Sequence, residues 1–416
     1  MSGMEAEDRD ELLNLLTLGI SAVADPRRDA VIICHSVPGA WSLPDPLFET
    51  TRCPPYPLEE AAYVVGRTMF ETDSLPPEHV ERCNMLDEIW LPTEFHKELY
   101  WRSGVTQPQL TVIPEAVDTH QFDPARHKPL PLPIGQRVFG RQHGSGVGEQ
   151  ARPYGASTQH AARSLLEKAG ARGAASNGTF VFLSIFKWEE RKAWDVLLRA
   201  YLEEFGATER VMLLLLTKPF HSDTDFKDQM RAWAASHLVL PSKGSKRGAD
   251  WAALPPVFVQ HEHIAQEDLP RLYKAADAFV LPSRGEGWGR PHVEAMSMGL
   301  PVLATNWSGP TAFLDESVGY PIAIEGLVVA GPNEGAFAGR RWAQPSVSHL
   351  RRLMRSVVER PEEARKRGAA ARRRMVERYS PEVVARVVAA RLGEINERPG
   401  GRRQPGRHQQ QHAQQN

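Results

Sequence analysis

Two glutamates in this sequence, Glu286 and Glu294, stand eight residues apart around glycines, a tryptophan and a proline, in AFVLPS-RGEGWGR-PHVEAMSMG-LPVLATN. The first and last blocks are short apolar runs typical of buried strands. Pro291 suits the first position of a helix, and Gly299 suits its end. The spacing therefore predicts strand, loop, helix and strand. It places Glu286 at the carboxyl end of a strand and Glu294 in the first turn of a helix.

The glycines that flank Glu286 let a ligand come close to the backbone. The amides of Gly287, Trp288 and Gly289, with a helix N-terminus behind them, predict a nest for an anion or a hydroxyl. The helix dipole is expected to keep Glu294 ionised, so that it can accept hydrogen bonds from vicinal hydroxyls such as those of a ribose. Taken alone, Glu286 would more often be a residue that caps a loop, and Glu294 one that caps a helix, than a ligand-binding residue. Together they favour a ligand with an anionic centre and diols on both sides.

Composition excludes several classes of protein. The chain has 416 residues, 41% hydrophobic and 24% charged, with a formal net charge of −1. That length predicts two domains, and that charge gives no global attraction to nucleic acid or membrane. The C-terminal arginines are interleaved with glutamates, which is typical of a solvated helical face, so we expect no nucleic-acid partner.

The cysteines are sparse: Cys34, Cys53 and Cys83 form an odd set without CxxC spacing. This pattern argues against a disulfide framework and a zinc site and predicts a reducing, cytoplasmic compartment. No apolar run approaches the length of a membrane span, which leaves peripheral membrane contact open. No other metal-ligand cluster stands out, so we expect no metal and no cofactor.

The chain alternates short β-branched runs with helical patterns, which predicts parallel sheets. Strands are expected at AVIICHS, AYVVGR, EIWLP and QLTVIP, and again from TFVFLSIF onward. A stretch rich in Pro, Gly, Gln and Arg interrupts this rhythm and predicts a linker or disordered insertion. We therefore expect an N-terminal Rossmann-like, acceptor-side domain, the linker, a C-terminal Rossmann-like donor domain, a crossover helix and a disordered tail, at residues 1–124, 125–178, 179–378, 379–395 and 396–416.

The glutamate segment resembles the retaining glycosyltransferases of family 4, also called glycosyl transferases group 1. Their Glu-x7-Glu signature is matched by Ser283, EGWG from Glu286, Pro291, EAM from Glu294, and the GLPV that follows. TVIPEAVDTHQFDP resembles the element that closes the family's N-terminal domain. The resemblance implies a GT-B fold, with two Rossmann-like domains facing across a cleft.

The resemblance also implies roles for individual residues. Glu286 would contact the donor sugar, and Glu294 the donor ribose, with Ser283, Gly287, Trp288, Gly289 and Arg290 completing the donor site. The family's Arg and Lys that clamp the diphosphate fall on Lys187 and Lys192 in SIFKWEERKAWD, and Arg191 could supply the guanidinium instead. In the N-terminal domain, His35 is a candidate catalytic residue. Arg67 and Glu71 are weaker candidates for the same cleft.

Two departures from the family pattern stand out. Ala312 occupies a position where the family often has a glutamate. The chain also begins at a sequence typical of the helix after the family's first strand and loop, so the N-terminal domain is expected to lack its first βα element.

The implied function is the transfer of a sugar, with retention of configuration and without metal, from a nucleotide-diphosphate sugar to a glycan, lipid or protein acceptor. The alternative is a catalytically impaired nucleotide-sugar-binding protein of the same fold.

Overall fold

The computed structural model describes residues 30–41, 62–141, 178–219, 224–241 and 249–397. The chain divides into two compact units. Unit 1 comprises Met1–Phe70, Ser74–Ile113 and Ala385–Asn416, and unit 2 comprises Glu71–Asp73 and Pro114–Val384. Residues 71–73 thus belong to unit 2, although the residues on both sides of them belong to unit 1. The last part of the chain, from Ala385 onward, belongs to unit 1, although the residues before it belong to unit 2.

The strands of the described residues are β1 Val31–His35, β2 Tyr63–Arg67, β3 Glu88–Leu91, β4 Gln109–Val112, β5 Gln136–Phe139, β6 Phe180–Trp188, β7 Val211–Pro219, β8 Val257–Gln260, β9 Ala278–Leu281, β10 Val302–Thr305, β11 Tyr320–Ile322, β12 Ile324–Val329 and β13 Arg341–Pro345. The α-helices are α1 Pro77–Asn84, α2 Glu94–Arg102, α3 Trp194–Glu204, α4 Phe226–His237, α5 Leu269–Lys274, α6 Arg290–Ser297, α7 Val347–Glu359, α8 Pro361–Tyr379 and α9 Pro381–Asn396.

Unit 1 contains a sheet of parallel strands in the order β1-β2-β3-β4. In the core of this unit, Ile395 of α9 packs against residues of the sheet and of the segment after β4, which are Tyr63, Val65, Trp90 and Ile113. The end of α9 therefore belongs to this core.

A buried carboxylate lies within unit 1. Glu88 of β3 has no exposed surface, and Arg391 of α9 donates to both of its oxygens at 2.8 Å. Tyr63 donates to the same carboxylate at 2.9 Å and Trp90 at 3.0 Å, and Thr111 donates as well. Burial alone would raise the pKa of Glu88, but these donors outweigh it and lower the pKa. The network is saturated, as buried ionic groups require.

Unit 2 contains a larger sheet in the order β11-β10-β9-β6-β7-β8-β5. All pairs are parallel except that of the edge strand β5 with β8. In chain order from β6, the parallel strands follow the arrangement 3-2-1-4-5-6 of a doubly wound dinucleotide-binding sheet. In such sheets a ligand binds beyond the carboxyl ends of the strands where the order reverses, which here is between β6 and β9.

The central strands of this sheet are largely buried. β9 and β10 are buried at every residue, and β7 is buried over its first seven residues. A parallel sheet covered on both faces requires such continuous apolar strands instead of alternating ones. The sequence TFVFLSIF and RVMLLLLT therefore determines the central layer.

The structure differs from the sequence predictions in places. The described part of the predicted linker, 125–141, includes strand β5, which Gly135 and Gly140 flank with positive φ angles. The antiparallel hairpin β12–β13 was not predicted. Residues 142–177, and residues 1–29 on which the prediction of a missing βα element rests, lie outside the described residues, as does the tail after residue 397.

The cysteines also differ from expectation. Cys34 is disulfide-bonded, whereas Cys83 is a buried free thiol. Cys34 thus takes part in a disulfide, although the cysteine pattern argued against a disulfide framework. Burial raises the pKa of the Cys83 thiol to about 12, so this thiol stays protonated at neutral pH. Within the described residues, no helix combines the length and apolarity required to cross a membrane.

Candidate functional site

Two loops meet at the reversal point of the unit 2 sheet. After β6, a short 3-10 turn runs from Glu190 to Lys192, and Ala193 turns the chain into α3 with a left-handed φ of 50°. After β9, the loop leads from Ser283 into α6. The Arg284 amide donates to the carbonyl of Arg191 at 2.7 Å, which ties the two loops together.

The Arg284 side chain reinforces this junction. It is buried, and its guanidinium donates to the two oxygens of Asp195 at 3.1 and 2.9 Å and to the Glu190 carbonyl at 2.5 Å. A bidentate pair of this kind fixes orientation as well as charge. Arg284 therefore positions the turn that carries Arg191 and Lys192. No sequence pattern indicated this role for Arg284.

Lys192 and Glu286 form the centre of the site. The Lys192 ammonium donates to the two oxygens of Glu286 at 2.7 and 2.9 Å, and both residues are buried. The Glu286 amide donates to Ser308 Oγ at 2.9 Å, and its carbonyl accepts from the Gly309 amide at 3.0 Å. Both the backbone and the side chain of Glu286 are thus fixed.

Arg191 lies beside this pair. Its guanidinium donates to the Gly285 carbonyl at 2.7 Å and to Glu189 at 2.7 Å, and lies 3.5 Å from Glu286 and 3.7 Å from Glu71. Three carboxylates therefore face two cations. We call Glu71, Glu189, Arg191, Lys192 and Glu286 the charge cluster.

Glu71 reaches the cluster through a short segment of unit 2. The carbonyl of Glu71 lies so close to Gly285 that a Cβ there would stand 2.1 Å from it, so no larger residue fits without movement. Asp73, two residues later, accepts from the Arg341 side chain at 2.8 Å and from its amide at 2.9 Å. These contacts hold the segment in place.

The cluster separates the pKa values of its members. Burial would raise the pKa of Glu286, but Lys192 and Arg191 outweigh burial and hold it at about 2. Burial raises the pKa of Glu71 above its ordinary value, and Glu286 adds to this effect. Burial, together with Arg191, lowers the pKa of Lys192. Widely separated pKa values at one place are typical of functional sites.

Some polar groups around the cluster have no partner in the described part of the chain. Arg191 Nε and His292 Nδ1 are buried without a hydrogen bond. Among the same residues, the amides of Gly287, Trp288 and Gly289 donate to no protein group. Buried polar groups are normally hydrogen-bonded, so these atoms are available to a ligand. They include the backbone nest that the sequence predicted.

Glu294 departs from its predicted setting. Helix α6 begins at Arg290 with Pro291 second, so Glu294 lies in the second turn and not the first. Burial raises its pKa, although the Tyr273 hydroxyl donates to it at 2.9 Å and Arg290 lies 3.9 Å away. The expectation that Glu294 lies in the first turn, where the helix dipole helps to keep a carboxylate ionised, is therefore wrong, because the dipole effect fades beyond that turn.

Three other predicted donor-site residues, Ser283, Trp288 and Gly289, are buried in the structure. The Trp288 ring is buried against Phe313 and Tyr379, at centroid distances of 5.1 and 5.4 Å, and its indole N–H has no hydrogen-bond partner among the described residues. Ser283 is buried, and Gly289 adopts a φ of 99° beside His292.

The remaining predicted residues lie elsewhere. Lys187 is exposed on β6, opposite Lys218 of β7, whereas Arg191 is the residue that joins Glu286. In unit 1, His35 and Arg67 stand opposite each other at the carboxyl ends of β1 and β2, and His35 is exposed. Within the described residues, no three or more His, Cys, Asp or Glu residues are grouped to hold a metal ion.

Comparison with known proteins bears on the same region. Residues 177–340 match the family model of glycosyl transferases group 1, and this range contains both loops of the site. The O-antigen chain mannosyltransferase B of Escherichia coli is 44% identical over 72 residues, which is 17% of this chain and 16% of that protein. The chain covers only 10–19% of the length of the first curated relatives it matches.

Solved structures resemble the chain over a greater length. A glycosyltransferase from Rickettsia africae aligns with a TM-score of 0.56 at 14% identity, over 96% of this chain and 84% of that one. The Anabaena protein HepE, solved with UDP-glucose, aligns with a TM-score of 0.51 at 15% identity, over 80% and 72% of the two chains. The chain therefore has the two-domain α/β fold with parallel sheets found in GT-B glycosyltransferases.

Proposed function

We propose that this protein transfers a sugar from a nucleoside-diphosphate sugar to an acceptor. The observation that carries the proposal is the junction of Lys192 and Arg191 with Glu286, at the reversal point of a doubly wound sheet. Ligands with phosphate groups bind at such points, where loop amides and helix N-termini face them. The group 1 match over the same residues supports the same chemistry.

The site offers a partner to each part of such a donor. Lys192 directs two of its three N–H groups to Glu286, which leaves one for a phosphate oxygen. The amides of Gly287, Trp288 and Gly289 supply further donors. Glu286 is held ionised and can accept from sugar hydroxyls. Glu294, backed by Tyr273, is the proposed acceptor for the ribose hydroxyls.

The reaction follows from these charges. When the bond between the anomeric carbon and the diphosphate breaks, negative charge grows on the departing phosphate. Lys192 and Arg191 would stabilise that charge from fixed positions, which is the largest catalytic effect a preorganised site provides. We propose retention of configuration, with the departing phosphate taking the proton of the acceptor hydroxyl, and we propose no role for a metal ion. His35 stays a predicted acceptor-side residue, and Lys187 a predicted second contact to the diphosphate.

The donor sugar is proposed from the relatives. One is a mannosyltransferase and another was solved with UDP-glucose, so GDP-mannose and UDP-glucose are the first donors to test. The acceptor is proposed to be a glycan, lipid or protein. The cytoplasmic location stays a prediction, although the disulfide at Cys34 removes one of its supports.

The test is product formation by the full chain with GDP-mannose, UDP-glucose and ADP-glucose, with methyl glycosides and water as acceptors. Release of the nucleoside diphosphate with an α-anomeric product in the proton NMR spectrum is expected, and EDTA should not reduce it. A product with inverted configuration would contradict the proposed stereochemistry. Loss of product formation in EDTA would contradict the proposed independence of metal. A donor that binds without turnover would instead support the impaired binding protein.

A further inference from the structure

A cavity of unit 2 lies beside the loop after β6. It has a volume of about 360 Å³, and tryptophans form much of its wall; its lining residues are Trp188, Trp194, Trp233, Glu190, Asp195 and Arg284, together with Glu189. Trp194 and Trp233 keep part of their surface accessible. Aromatic rings usually bury their faces, so a cavity walled by indoles suggests a ligand that replaces the missing packing.

The aromatic wall is held rigidly. Trp188 and Trp194 are stacked with ring centroids 4.5 Å apart and planes at 20°. Trp233 of α4 meets Trp194 edge-on at 5.8 Å and 69°. The Trp188 indole donates to Gln229 at 2.8 Å, which fixes the innermost ring. The wall therefore offers a preformed aromatic platform, and such preorganisation favours binding.

The polar lining consists of three carboxylates and one guanidinium, and two of the carboxylates are paired with arginines. Asp195 is neutralised by Arg284 at 2.9 Å, and Glu189 by Arg191 at 2.7 Å. Glu190 pairs with no Lys or Arg among the residues that the structure describes, and it is exposed. In that same part of the chain, the indole N–H groups of Trp194 and Trp233 donate to no protein atom. The cavity thus combines aromatic surface, two free donors and one free acceptor.

We propose that this cavity binds the ring of a neutral sugar beside the nucleotide-sugar site, with which it shares Glu189. A pyranose has an apolar C–H face for the indoles and hydroxyls that both donate and accept, which matches this lining. A quaternary ammonium ion also binds aromatic faces. Two of the three carboxylates are already paired, however, and free indole donors would be left facing a cation.

The test uses the full chain with methyl α-D-mannopyranoside and methyl α-D-glucopyranoside, followed by tryptophan fluorescence and saturation-transfer NMR. Saturable binding of at least one glycoside is expected, and Trp233→Ala should weaken it at least tenfold. Trp101→Ala is the matched control, because Trp101 is a 62% exposed tryptophan of unit 1 and should not affect binding. Trp233→Phe, which keeps an aromatic face and removes the N–H, should weaken glycoside binding less than Trp233→Ala does.

Glu190→Gln separates the two ligand classes, since an amide oxygen still accepts from a hydroxyl but does not attract a cation. Sugar binding should change less than about threefold, and thermal unfolding of each variant reports whether it folds. The proposal is overturned if neither glycoside binds saturably. It is also overturned if tetramethylammonium binds instead and Glu190→Gln abolishes this, or if UDP or GDP displaces the glycoside, which would assign the signal to the nucleotide site.

Discussion

Both units bury charged side chains, but the two groups of charges are built differently. In unit 1, the Glu88 carboxylate accepts from Arg391 and from three further side chains, so each of its oxygens is satisfied. In unit 2, the charge cluster sets three carboxylates against two cations and leaves Arg191 Nε and His292 Nδ1 without partners among the described residues. The hydrogen bonds of the first network are all made within the fold, whereas the second network includes buried nitrogen atoms without a hydrogen-bond partner among the described residues.

This difference separates a structural role from a functional one. A saturated buried ion pair fixes α9 to the sheet of unit 1 and needs no ligand. An unsaturated cluster costs stability, and proteins retain such sites where function requires them. The pKa of Glu88 is lowered, which favours its ionised form, whereas the cluster lowers the pKa of Glu286 and leaves that of Glu71 raised. Four substitutions, taken from the largest effect to the smallest, test the comparison.

Arg391→Met should have the largest effect, because it leaves the fully buried Glu88 charge without its cation. We expect the free energy of unfolding to fall by about 3–5 kcal/mol, measured by urea denaturation. The control is Arg102→Met, which breaks an exposed pair with Glu98 in the same unit and should cost less than about 1 kcal/mol. Equal stability of the two variants would show that the Glu88 network is not structural.

Lys192→Ala should reduce turnover, and it should also lower the stability of the fold, because it leaves the buried Glu286 carboxylate with only the more distant Arg191, at 3.5 Å, among its two cations. The loss of one preorganised contact to the departing phosphate costs about 3–4 kcal/mol, or about 10²–10³ in kcat. Donor affinity should fall less than kcat, because the charge that Lys192 stabilises grows only in the transition state. Equal losses in both quantities would count against this role of Lys192. Lys187→Ala, in the neighbouring exposed position, should have the smaller effect.

Glu294→Ala should weaken donor binding more than it slows the chemical step. A hydrogen bond to a charged group contributes about 1.5–3 kcal/mol, which corresponds to about 10–100-fold in Kd. Arg290→Ala should have a smaller effect, because Arg290, although it is a predicted donor-site residue, is exposed and lies 3.9 Å from the same carboxylate. Its effect should remain below about 1 kcal/mol. Titration calorimetry with the nucleoside diphosphate distinguishes these outcomes, and an unchanged Kd in Glu294→Ala would remove it from the site.

Glu71→Gln should stabilise the protein at neutral pH, by about 0.5–2 kcal/mol. Because the folded-state pKa of Glu71 is raised above 4.5, its contribution to stability is present below that pH and is lost as pH rises through the folded value. The advantage of Gln should therefore grow with pH. Glu286, whose pKa is lowered to about 2, contributes stability above pH 4.5 that is lost between 4.5 and 2. Thermal unfolding at several pH values measures both, and destabilisation by Glu71→Gln at pH 7 would contradict this account.

The sequence predicted the parts of the site that depend on local pattern. Strand β9, the glycine loop and α6 follow from apolar runs and helix-ending residues, and their predicted bounds agree with the structure to within a few residues. The sequence left the choice between Lys187 and Arg191 open, because it depends on the 3-10 turn and on the left-handed Ala193. Strand β5 was missed because glycines and prolines surround its short run.

Long-range partners could not be predicted from the sequence. Glu71 meets Arg191, Arg284 meets Asp195, and Tyr273 meets Glu294 only because the sheet order brings distant loops to one edge. Hairpin β12–β13 was missed because β12 is exposed along most of its length and lacks the alternation that marks a half-buried strand. These elements depend on tertiary packing, which a single sequence does not display.

The central claim, that the unsaturated cluster of unit 2 is a nucleotide-sugar site, is tested most directly by thermal unfolding against a panel of UDP-, GDP- and ADP-sugars. At about 100 times Kd, a bound donor should stabilise the protein by about 2.7 kcal/mol. We expect an upward shift with one nucleotide that is reduced in Glu294→Ala. No shift with any donor, or a shift that Glu294→Ala leaves unchanged, would contradict the assignment of this cluster as the donor site.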